Sequence, residues 1–408
     1  MRLSDRDKAT LGGELGEGAR IALELVVASG EAMGAEDLLD ISGAHIDGCL
    51  YHGIAGLDFA RRLAESGGEV VVPTTLNVSS LDLLHPDLYR GDEETAQRAG
   101  QLMDAYQQMG CRPTWTCAPY QLTDRPGYGD QVAWGESNAI VFANSVLGAR
   151  TNRYGDFLDI CCALTGRAPA VDLHTDAGRR ATMALDVSVP DPWLDEDLLY
   201  VGLGLILGRE AGSKVATLTG LDERADEDRL KALGAAAASS GAVAMFHVVG
   251  VTPESETLGS YSGDRRILVD SETIADALRE LSGDSRQGLG AVRVGTPHAS
   301  GAELLALAGL VEGRTSAVPF YVNASRDVLT EVPSAVATIE AFGATVVADT
   351  CTYITPIIGD VDGVVMTNSG KWAYYAPGNL GVEVSIGSMT DCVESAVRGE
   401  VVVSGLLS

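Results

Sequence analysis

The sequence predicts an α/β protein built from parallel sheets with helices packed on their faces. From about residue 212 onward, short apolar runs alternate with amphipathic stretches that begin near Ser, Thr or Asp. This alternation is typical of βαβ units, which pair their strands in parallel. The 408 residues include 46% hydrophobic and 21% charged residues, which excludes disordered, collagen-like and coiled-coil chains. A chain of this length is long enough for two or three domains.

The predicted strands of the second half are short and apolar. They cover residues 242–250, 291–294, 318–322, 344–348 and 363–366, and helices are predicted over 273–281, 300–312 and 328–342. Parallel sheets bind ligands beyond the carboxyl ends of their strands. We therefore expect the functional side of the sheet to carry His298, Asn323 and the segments 349–351 and 368–371.

The first 210 residues are less regular. Helices are predicted over 5–28 and 92–109, strands over 38–41 and 70–72, and a further apolar helix opens at 134–138 and ends at 148–152. We expect a first α/β region over 1–210, a regular βαβ domain over 211–345, and a C-terminal segment over 346–408 that returns to the active site. These domains need not be continuous in sequence.

Charge and targeting signals restrict the possible partners. The 29 Lys and Arg residues against 57 Asp and Glu residues give a formal charge of -28, which repels nucleic acids and anionic membranes. The longest apolar run, 198–207, is too short to span a bilayer and predicts a buried helix. The charged N-terminus shows no export signal. Seven scattered cysteines argue against a disulfide framework, so we expect a reducing cytoplasm.

Three cysteines lie where a thiol could bind a metal. Cys117 and Cys351 lie in the polar loops Thr-Cys-Ala-Pro-Tyr and Asp-Thr-Cys-Thr-Tyr. Cys392 follows Gly-Ser-Met-Thr-Asp at a predicted helix start, where the helix dipole would lower the pKa of the thiol. The other cysteines are by default buried apolar side chains, although one of the adjacent pair could face a site: Cys49, Cys111, Cys161 and Cys162.

Two further patterns have alternative interpretations. The spacing G-x-G-x-x-x-G at residues 202–208 differs from a dinucleotide fingerprint and lacks a preceding strand and tight turn, so we interpret these glycines as packing positions in a buried helix. Lys371, in Ser-Gly-Lys-Trp, is the best candidate for a cation that holds a substrate carboxylate. The alternative is a solvated surface lysine. His45 lies in a setting that suits a site, whereas we expect His85 at the surface.

Eight segments together resemble the aconitase X family, a branch of the aconitase superfamily. They occur in the family's order and cover residues 44–48, 73–77, 116–120, 134–138, 148–152, 246–254, 349–351 and 368–371. The resemblance implies an aconitase-like fold with α/β/α subdomains and a hydro-lyase that carries an iron-sulfur cluster. Three cysteines hold such a cluster and leave iron open to a departing hydroxyl, but they do not distinguish 2Fe-2S from 4Fe-4S.

The resemblance also implies a set of site residues. The cluster ligands would be Cys117, Cys351 and Cys392, with Cys161 as the alternative third ligand. The catalytic candidates, for the ring nitrogen, proton handling or the carboxylate, are Lys371, His45 and Asp47. The substrate-binding candidates are Asn77, Ser137, Asn138, Arg150, Asn152 and Ser369.

Two activities are known in this family. One removes water from cis-3-hydroxy-L-proline to give a pyrroline carboxylate, and the other dehydrates mevalonate 5-phosphate. Residues 45–52 and 154–161 resemble the hydroxyproline branch more closely. A phosphate substrate should also need more cations than this acidic chain offers. A third interpretation is a non-catalytic iron-sulfur or ligand-binding protein on the same fold, but the intact polar loops count against it.

The resemblance finally implies a partner. Related enzymes carry a swivelling domain that contributes a catalytic serine, either fused to the chain or present as a separate small subunit. This chain begins directly with the catalytic region and ends at Ser408. We therefore expect a complex with a separate small subunit.

Overall fold

The computed structural model describes residues 1–282, 288–359 and 361–407, and these divide into two compact units. The first unit comprises Met1–Leu81 and Gly91–Arg180, and the second comprises Asp82–Arg90 and the chain from Ala181 onward. Throughout these described ranges, no helix combines the length and the apolar character needed to cross a membrane.

The first unit contains five short strands and seven α-helices in its described residues. The strands are β1 Leu38–Asp40, β2 Gly43–Ile46, β3 Thr74–Leu76, β4 Val132–Trp134 and β5 Arg167–Pro169. The helices are α1 Asp5–Leu11, α2 Glu17–Met33, α3 Ile54–Glu65, α4 Glu93–Gln108, α5 Ser137–Phe142, α6 Leu158–Thr165 and α7 Asp176–Arg179. A π-helical turn, Ala143–Leu147, continues α5.

The central sheet of the first unit is parallel, in the order β3-β2-β4, while β1 and β5 form a separate antiparallel pair. Two predictions here were wrong. The predicted helix over 5–28 is two helices, because Gly13 and Gly16 adopt left-handed φ values of 84° and 99° between them. The segment 70–72 is not a strand, because Val70 and Val71 donate their amides to Met109 and Ala163 near helices instead of to a neighbouring strand.

The second unit is a regular succession of strands and helices. Its strands are β6 Met183–Ser188, β7 Ala216–Thr219, β8 Phe246–Val248, β9 Arg266–Asp270, β10 Leu289–Ala299, β11 Phe320–Ala324, β12 Ala344–Val347, β13 Val364–Thr367 and β14 Val384–Ile386. Its helices are α8 Asp197–Ala211, α9 Glu227–Ser240, α10 Ser271–Arg279, α11 Gly301–Val311, α12 Arg326–Glu331, α13 Pro333–Ala341, α14 Gly370–Leu380 and α15 Met389–Arg398. These elements confirm the predicted α/β class.

Both sheets of the second unit are entirely parallel. One has the order β8-β7-β6-β9 and the other has the order β12-β11-β10-β13-β14. In the five-stranded sheet the strand order reverses between β10 and β13, and such a switch point is where α/β sheets bind ligands. The predicted helix over 328–342 is broken into α12 and α13, because Pro333 lacks the amide that would continue the first of them.

The glycines of α8 are packing positions, as predicted. A methyl group on Gly204 would lie 2.3 Å from the Leu233 carbonyl oxygen, and one on Gly202 would lie 2.7 Å from the Ile274 side chain. Helix α8 is buried and packs against α9 and α10, so its glycines let the neighbouring backbones approach closely.

We expect Gly204→Ala to destabilise the second unit by about 1–3 kcal/mol, because the added methyl group forces α8 and α9 apart. Urea unfolding followed by circular dichroism measures this change. Gly100→Ala in α4 is the matched control, since nothing lies within 4 Å of its added methyl group. That control should be neutral or stabilising by about 0.5–1 kcal/mol. Equal effects of the two variants would contradict the packing role.

Candidate functional site

Polar residues follow all three strands of the first unit's parallel sheet. Asp47 comes directly after β2, Asn77 after β3, and Ser137 soon after β4. The Asn77 side-chain amide donates to the Asp47 carboxylate. Gly135 donates its amide to the His45 carbonyl oxygen at 2.9 Å, which ties the ends of β2 and β4 together. The structure therefore brings these sequence-predicted residues to one edge of the sheet.

Cys117 is held at this same edge by the N-terminus of α5. The Asn138 side-chain amide donates to the Cys117 carbonyl oxygen at 3.0 Å and also to the Glu136 carboxylate. The Tyr120 hydroxyl donates to the side-chain oxygen Oδ1 of Asn138 at 2.7 Å. Cys117 itself is only 2% exposed. Trp115, two residues earlier, has a φ of 43°, so the loop contains a strained residue close to its cysteine.

His45 is a neutral imidazole at physiological pH. Its ring is completely buried, and Nδ1 lies 2.7 Å from the Thr75 hydroxyl. Burial lowers the pKa of His45 to about 3, although a hydrogen bond with the Thr116 backbone acts in the opposite direction. Because the neutral ring cannot supply a positive charge, His45 is suited to hydrogen bonding and not to pairing with an anion.

Lys371 and Ser369 lie at the switch point of the five-stranded sheet. Ser369 caps α14, because its hydroxyl accepts from the Trp372 amide at 3.0 Å. The same hydroxyl donates to the carbonyl oxygen of Thr296, which lies on β10, the strand next to β13. Lys371 is 2% exposed, and its Nζ lies 5.8 Å from the centre of the Tyr353 ring. The alternative of a solvated surface lysine is therefore wrong, because the side chain is buried.

Cys351 lies in a loop after β12 whose backbone is fixed by two neighbouring strands. The Asn323 side-chain amide donates to the Thr350 carbonyl oxygen at 2.9 Å, and His298 Nε2 lies 3.3 Å from the same oxygen. A ring nitrogen of His298 and Cys351 Sγ lie within 4.8 Å of each other. Both residues are buried. A thiol and an imidazole are both ligands that iron accepts in proteins.

One charged pair and two amide–carboxylate hydrogen bonds hold the start of this loop. Asp349 has a φ of 58°, which is uncommon for an aspartate, and it is completely buried. Arg326 donates from Nε and Nη2 to its two carboxylate oxygens, at 2.7 and 2.5 Å. The Ala348 amide donates to Asp82 at 2.9 Å, and the Leu83 amide donates to Asp349 at 3.1 Å. The bidentate pair is the kind of interaction that keeps a strained residue in place.

The two other predicted ligands lie in apolar surroundings. Cys392 is fully buried in the hydrophobic cluster of the second unit, and Cys161 is fully buried in that of the first. The expectation that the helix dipole lowers the pKa of Cys392 was wrong, because burial and the neighbouring Asp391 raise this pKa well above its usual value. Burial likewise raises the pKa of Cys161. Both surroundings favour the thiol over the thiolate that binds metal.

Two predicted substrate-binding residues are used in other interactions. Arg150 forms an isolated parallel β-bridge with Gln131, the residue before β4. Arg150 therefore lies at the start of β4, whereas the site edge lies at the end of β4. Its guanidinium forms an ion pair with Asp176 at 2.6 Å. Asn152 accepts from the Leu173 amide at 2.9 Å and donates to the Val171 carbonyl oxygen at 3.2 Å. Its side chain therefore holds a loop.

Two buried charged residues were not predicted from the sequence. Arg293 lies inside β10 and donates to Thr352 and Asn323 at 2.8 Å each, which links the Cys351 loop to the sheet. Asp159 lies in the first turn of α6, and burial raises its pKa to about 7. Arg293 could have been noticed, because it is a charged residue inside the apolar run 291–294. Asp159 gave no such signal, since acidic residues are common in first helical turns.

A buried histidine makes the stability of the first unit depend on pH. Burial lowers the pKa of His174 to about 3, and the ring bonds Tyr154 at 2.5 Å and Gln131 at 2.6 Å. Since the unfolded chain binds a proton near pH 6.5 and the folded chain does not, stability falls as pH drops below about 6.5. We expect His174 alone to cost about 2 kcal/mol between about pH 7 and about pH 5.

The variant His174→Gln should lose about 2 kcal/mol less than the wild type over this interval, as measured by urea unfolding at both pH values. His52→Gln is the control, because His52 is exposed. If the His174→Gln and wild-type proteins lose stability equally, His174 is not the titrating group.

Family models for three successive domains match this chain. The model for the aconitase X first domain matches residues 1–177, the second-domain model matches 181–280, and the third-domain model matches 289–398.

Two protein relatives and one solved structure each match almost the whole chain. A cis-3-hydroxy-L-proline dehydratase of Pseudomonas aeruginosa is 43% identical over 98% of this chain and 70% of its own length. A phosphomevalonate dehydratase large subunit of Methanosarcina mazei is 36% identical over 98% of both chains. The crystal structure of holo-form aconitase X from Thermococcus kodakaraensis superimposes with a TM-score of 0.88 and 32% identity, over 97% of this chain and 100% of that one.

Proposed function

Because the chain belongs to the aconitase X family, we propose that it is the large subunit of a hydro-lyase that removes water from cis-3-hydroxy-L-proline. The observation that carries this proposal is the identity of 43% to the Pseudomonas dehydratase, against 36% to the Methanosarcina phosphomevalonate dehydratase large subunit. The product is a pyrroline carboxylate, formed when the C2 proton and the 3-hydroxyl group leave together as water.

An iron-sulfur cluster fits the donor atoms that the structure offers. Cys351 and His298 lie close together in the second unit, and Cys117 is a buried thiol at the functional edge of the first. We propose these three as the ligands, with His298 in place of the cysteines that lie in the apolar clusters. The cluster, when bound, supplies a Lewis acid for the departing hydroxyl.

The chain's own residues would bind and orient the amino acid. The Asp47 carboxylate, oriented by Asn77, is suited to the positively charged ring nitrogen of the substrate. Lys371 is the cation for the substrate carboxylate, whose negative charge grows as the C2 proton leaves. Ser369 fixes the start of α14 and thereby the position of Lys371. His45, as a neutral ring, holds Thr75 beside this edge.

We also propose a separate small subunit that supplies the catalytic serine. The chain spans 70% of the length of the Pseudomonas relative, and the Methanosarcina relative of matching length is named a large subunit. A reducing cytoplasm suits the complex, since none of the seven cysteines, all of which lie in the described residues, forms a disulfide.

Mevalonate 5-phosphate is the alternative substrate, and the matching length of the Methanosarcina relative favours it. A phosphate group needs cations with free donors. Arg150 is paired with Asp176, and Arg326 is paired with Asp349, so these two guanidinium groups are already used. The paired arginines therefore favour the amino acid over the phosphate.

The proposal is tested with the large and small subunits coexpressed and purified without oxygen. Mass spectrometry follows the loss of water from cis-3-hydroxy-L-proline and from mevalonate 5-phosphate in parallel reactions. We expect turnover of the amino acid by the complex and none by the large subunit alone. Turnover of mevalonate 5-phosphate only would replace the proposed substrate, and full activity of the isolated chain would remove the proposed partner.

A further inference from the structure

Asp159 is a buried carboxyl group of the first unit that has no part in the proposed function. It lies in the first turn of α6, a helix that packs against β2 and β4, and it is 0% exposed. Its oxygens accept the Asp47 amide at 2.7 Å and the Ile160 amide at 2.6 Å, and the Gly48 backbone also bonds it. A buried carboxyl group whose partners are backbone amides determines where that backbone lies.

The backbone to which Asp159 is hydrogen-bonded lies at the end of β2, where the candidate substrate-binding residue Asp47 follows the strand. Asn77 orients the Asp47 side chain, while Asp159 holds its main chain. Gly135, at the end of β4, closes the other side, because a methyl group there would lie 2.5 Å from Asp159 Oδ2 and 3.0 Å from Asp47 Cβ. The Asp159 carboxyl group thus lies where the ends of two strands of the site edge meet.

We propose that Asp159 is a positioning residue, which fixes the backbone of Asp47 and Gly48 so that the Asp47 carboxylate points to the substrate nitrogen. This inference rests on the proposed function as far as the substrate is concerned. A purely structural role for Asp159 predicts a different result, namely a loss of stability with unchanged turnover by the molecules that remain folded.

The test compares Asp159→Asn with Asp156→Asn in the complex with the small subunit. The asparagine keeps the size of the side chain but replaces one accepting oxygen by a donor that faces backbone amides. We expect kcat/KM for cis-3-hydroxy-L-proline to fall about 10- to 100-fold, while the melting temperature changes by only a few degrees. Asp156→Asn removes a charge from the same segment and should leave kcat/KM unchanged.

Hydrogen exchange provides a measurement that needs no substrate. Amide exchange over residues 46–50 should speed up by at least about tenfold in Asp159→Asn and not in Asp156→Asn, because the Asp47 and Gly48 amides lose their acceptor. If the wild-type complex does not dehydrate hydroxyproline, the proposed function fails. The amide exchange rate over residues 46–50 still decides whether Asp159 holds the backbone of this segment. Unchanged exchange over 46–50, or unchanged kcat/KM in an active complex, would overturn the positioning role.

Gly135→Ala covers the case in which Asp159→Asn does not fold. The added methyl group displaces the same carboxyl oxygen while Asp159 remains, so exchange over 46–50 should again rise. Where both variants fold, their combined effect on kcat/KM should be smaller than the product of the single effects, since both disturb one contact. A fully multiplicative effect would contradict the shared contact.

Discussion

Replacing Cys351 with serine is expected to remove nearly all bound iron and to abolish dehydration. The loop that carries Cys351 is held by Asn323 and by His298, which both contact the Thr350 carbonyl oxygen next to the cysteine. A serine hydroxyl is a far weaker ligand for iron than a thiolate. Iron and acid-labile sulfide per chain, in protein purified without oxygen, measure the effect. Cys117→Ser should behave in the same way.

Two core cysteines provide the matched controls for this experiment. Cys392→Ala and Cys161→Ala remove a thiol from an apolar cluster, so each should keep its iron and lose about 1 kcal/mol of stability. His298→Ala should lower the iron content, and it should also lower the melting temperature, because the buried ring contacts the Thr350 carbonyl oxygen and its loss leaves a cavity. If Cys392→Ala loses iron and His298→Ala keeps it, the third ligand is the cysteine and not the histidine.

Replacing Lys371 with methionine is expected to lower kcat/KM about 100- to 1,000-fold. The side chain is buried at the switch point of the five-stranded sheet, where methionine keeps an unbranched side chain one atom shorter and removes the ammonium group. Without that cation, the carboxylate of the substrate would enter a buried site unpaired, and the charge that develops as the C2 proton leaves would not be stabilised. Steady-state kinetics of the complex measure the loss.

Lys214→Met is the control for this variant, since Lys214 is exposed in the loop between α8 and β7. It should leave kcat/KM within about twofold of the wild type, because exposed single substitutions rarely matter. The iron content of Lys371→Met should also match the wild type, which separates substrate binding from cluster loss. A Lys371→Met complex with wild-type kinetics would show that another residue binds the carboxylate.

The sequence did not predict β6, β7, β9 or β14, but it predicted the other five strands that the structure describes in the second unit, because each of them contains a short apolar run. The strands near 318–322 and 344–348 are examples, since both are found within two residues of the predicted range. The first unit was harder to predict, because some of its backbone hydrogen bonds join an extended segment to a helix and not to another strand. Val70 and Val71 have the composition of a strand, but their amides bond carbonyl groups near α4 and α6.

The same contrast holds for the site. Asp47 and Asn77 were predicted from the resemblance to the family, and Lys371 also from its place after a predicted strand; each lies beyond the end of a parallel strand, where α/β sheets bind ligands. Cys392 was assigned by a local argument from the helix dipole, which burial outweighs. The partners of Asp159 lie far away in sequence, at Asp47 and Gly135, and a single sequence does not show which distant backbone amides a carboxyl group will meet.

The short segment Asp82–Arg90 has a consequence for how this protein is made. It belongs to the second unit, where the Asp82 carboxylate accepts the Ala348 amide and the Arg90 amide donates to the Pro356 carbonyl oxygen. The ribosome therefore releases part of the second unit before the first is finished, and this part waits through more than half of synthesis for its partners. A gene cut between residues 180 and 181 would leave the Asp82–Arg90 segment on the fragment of the first unit and remove it from the fragment of the second.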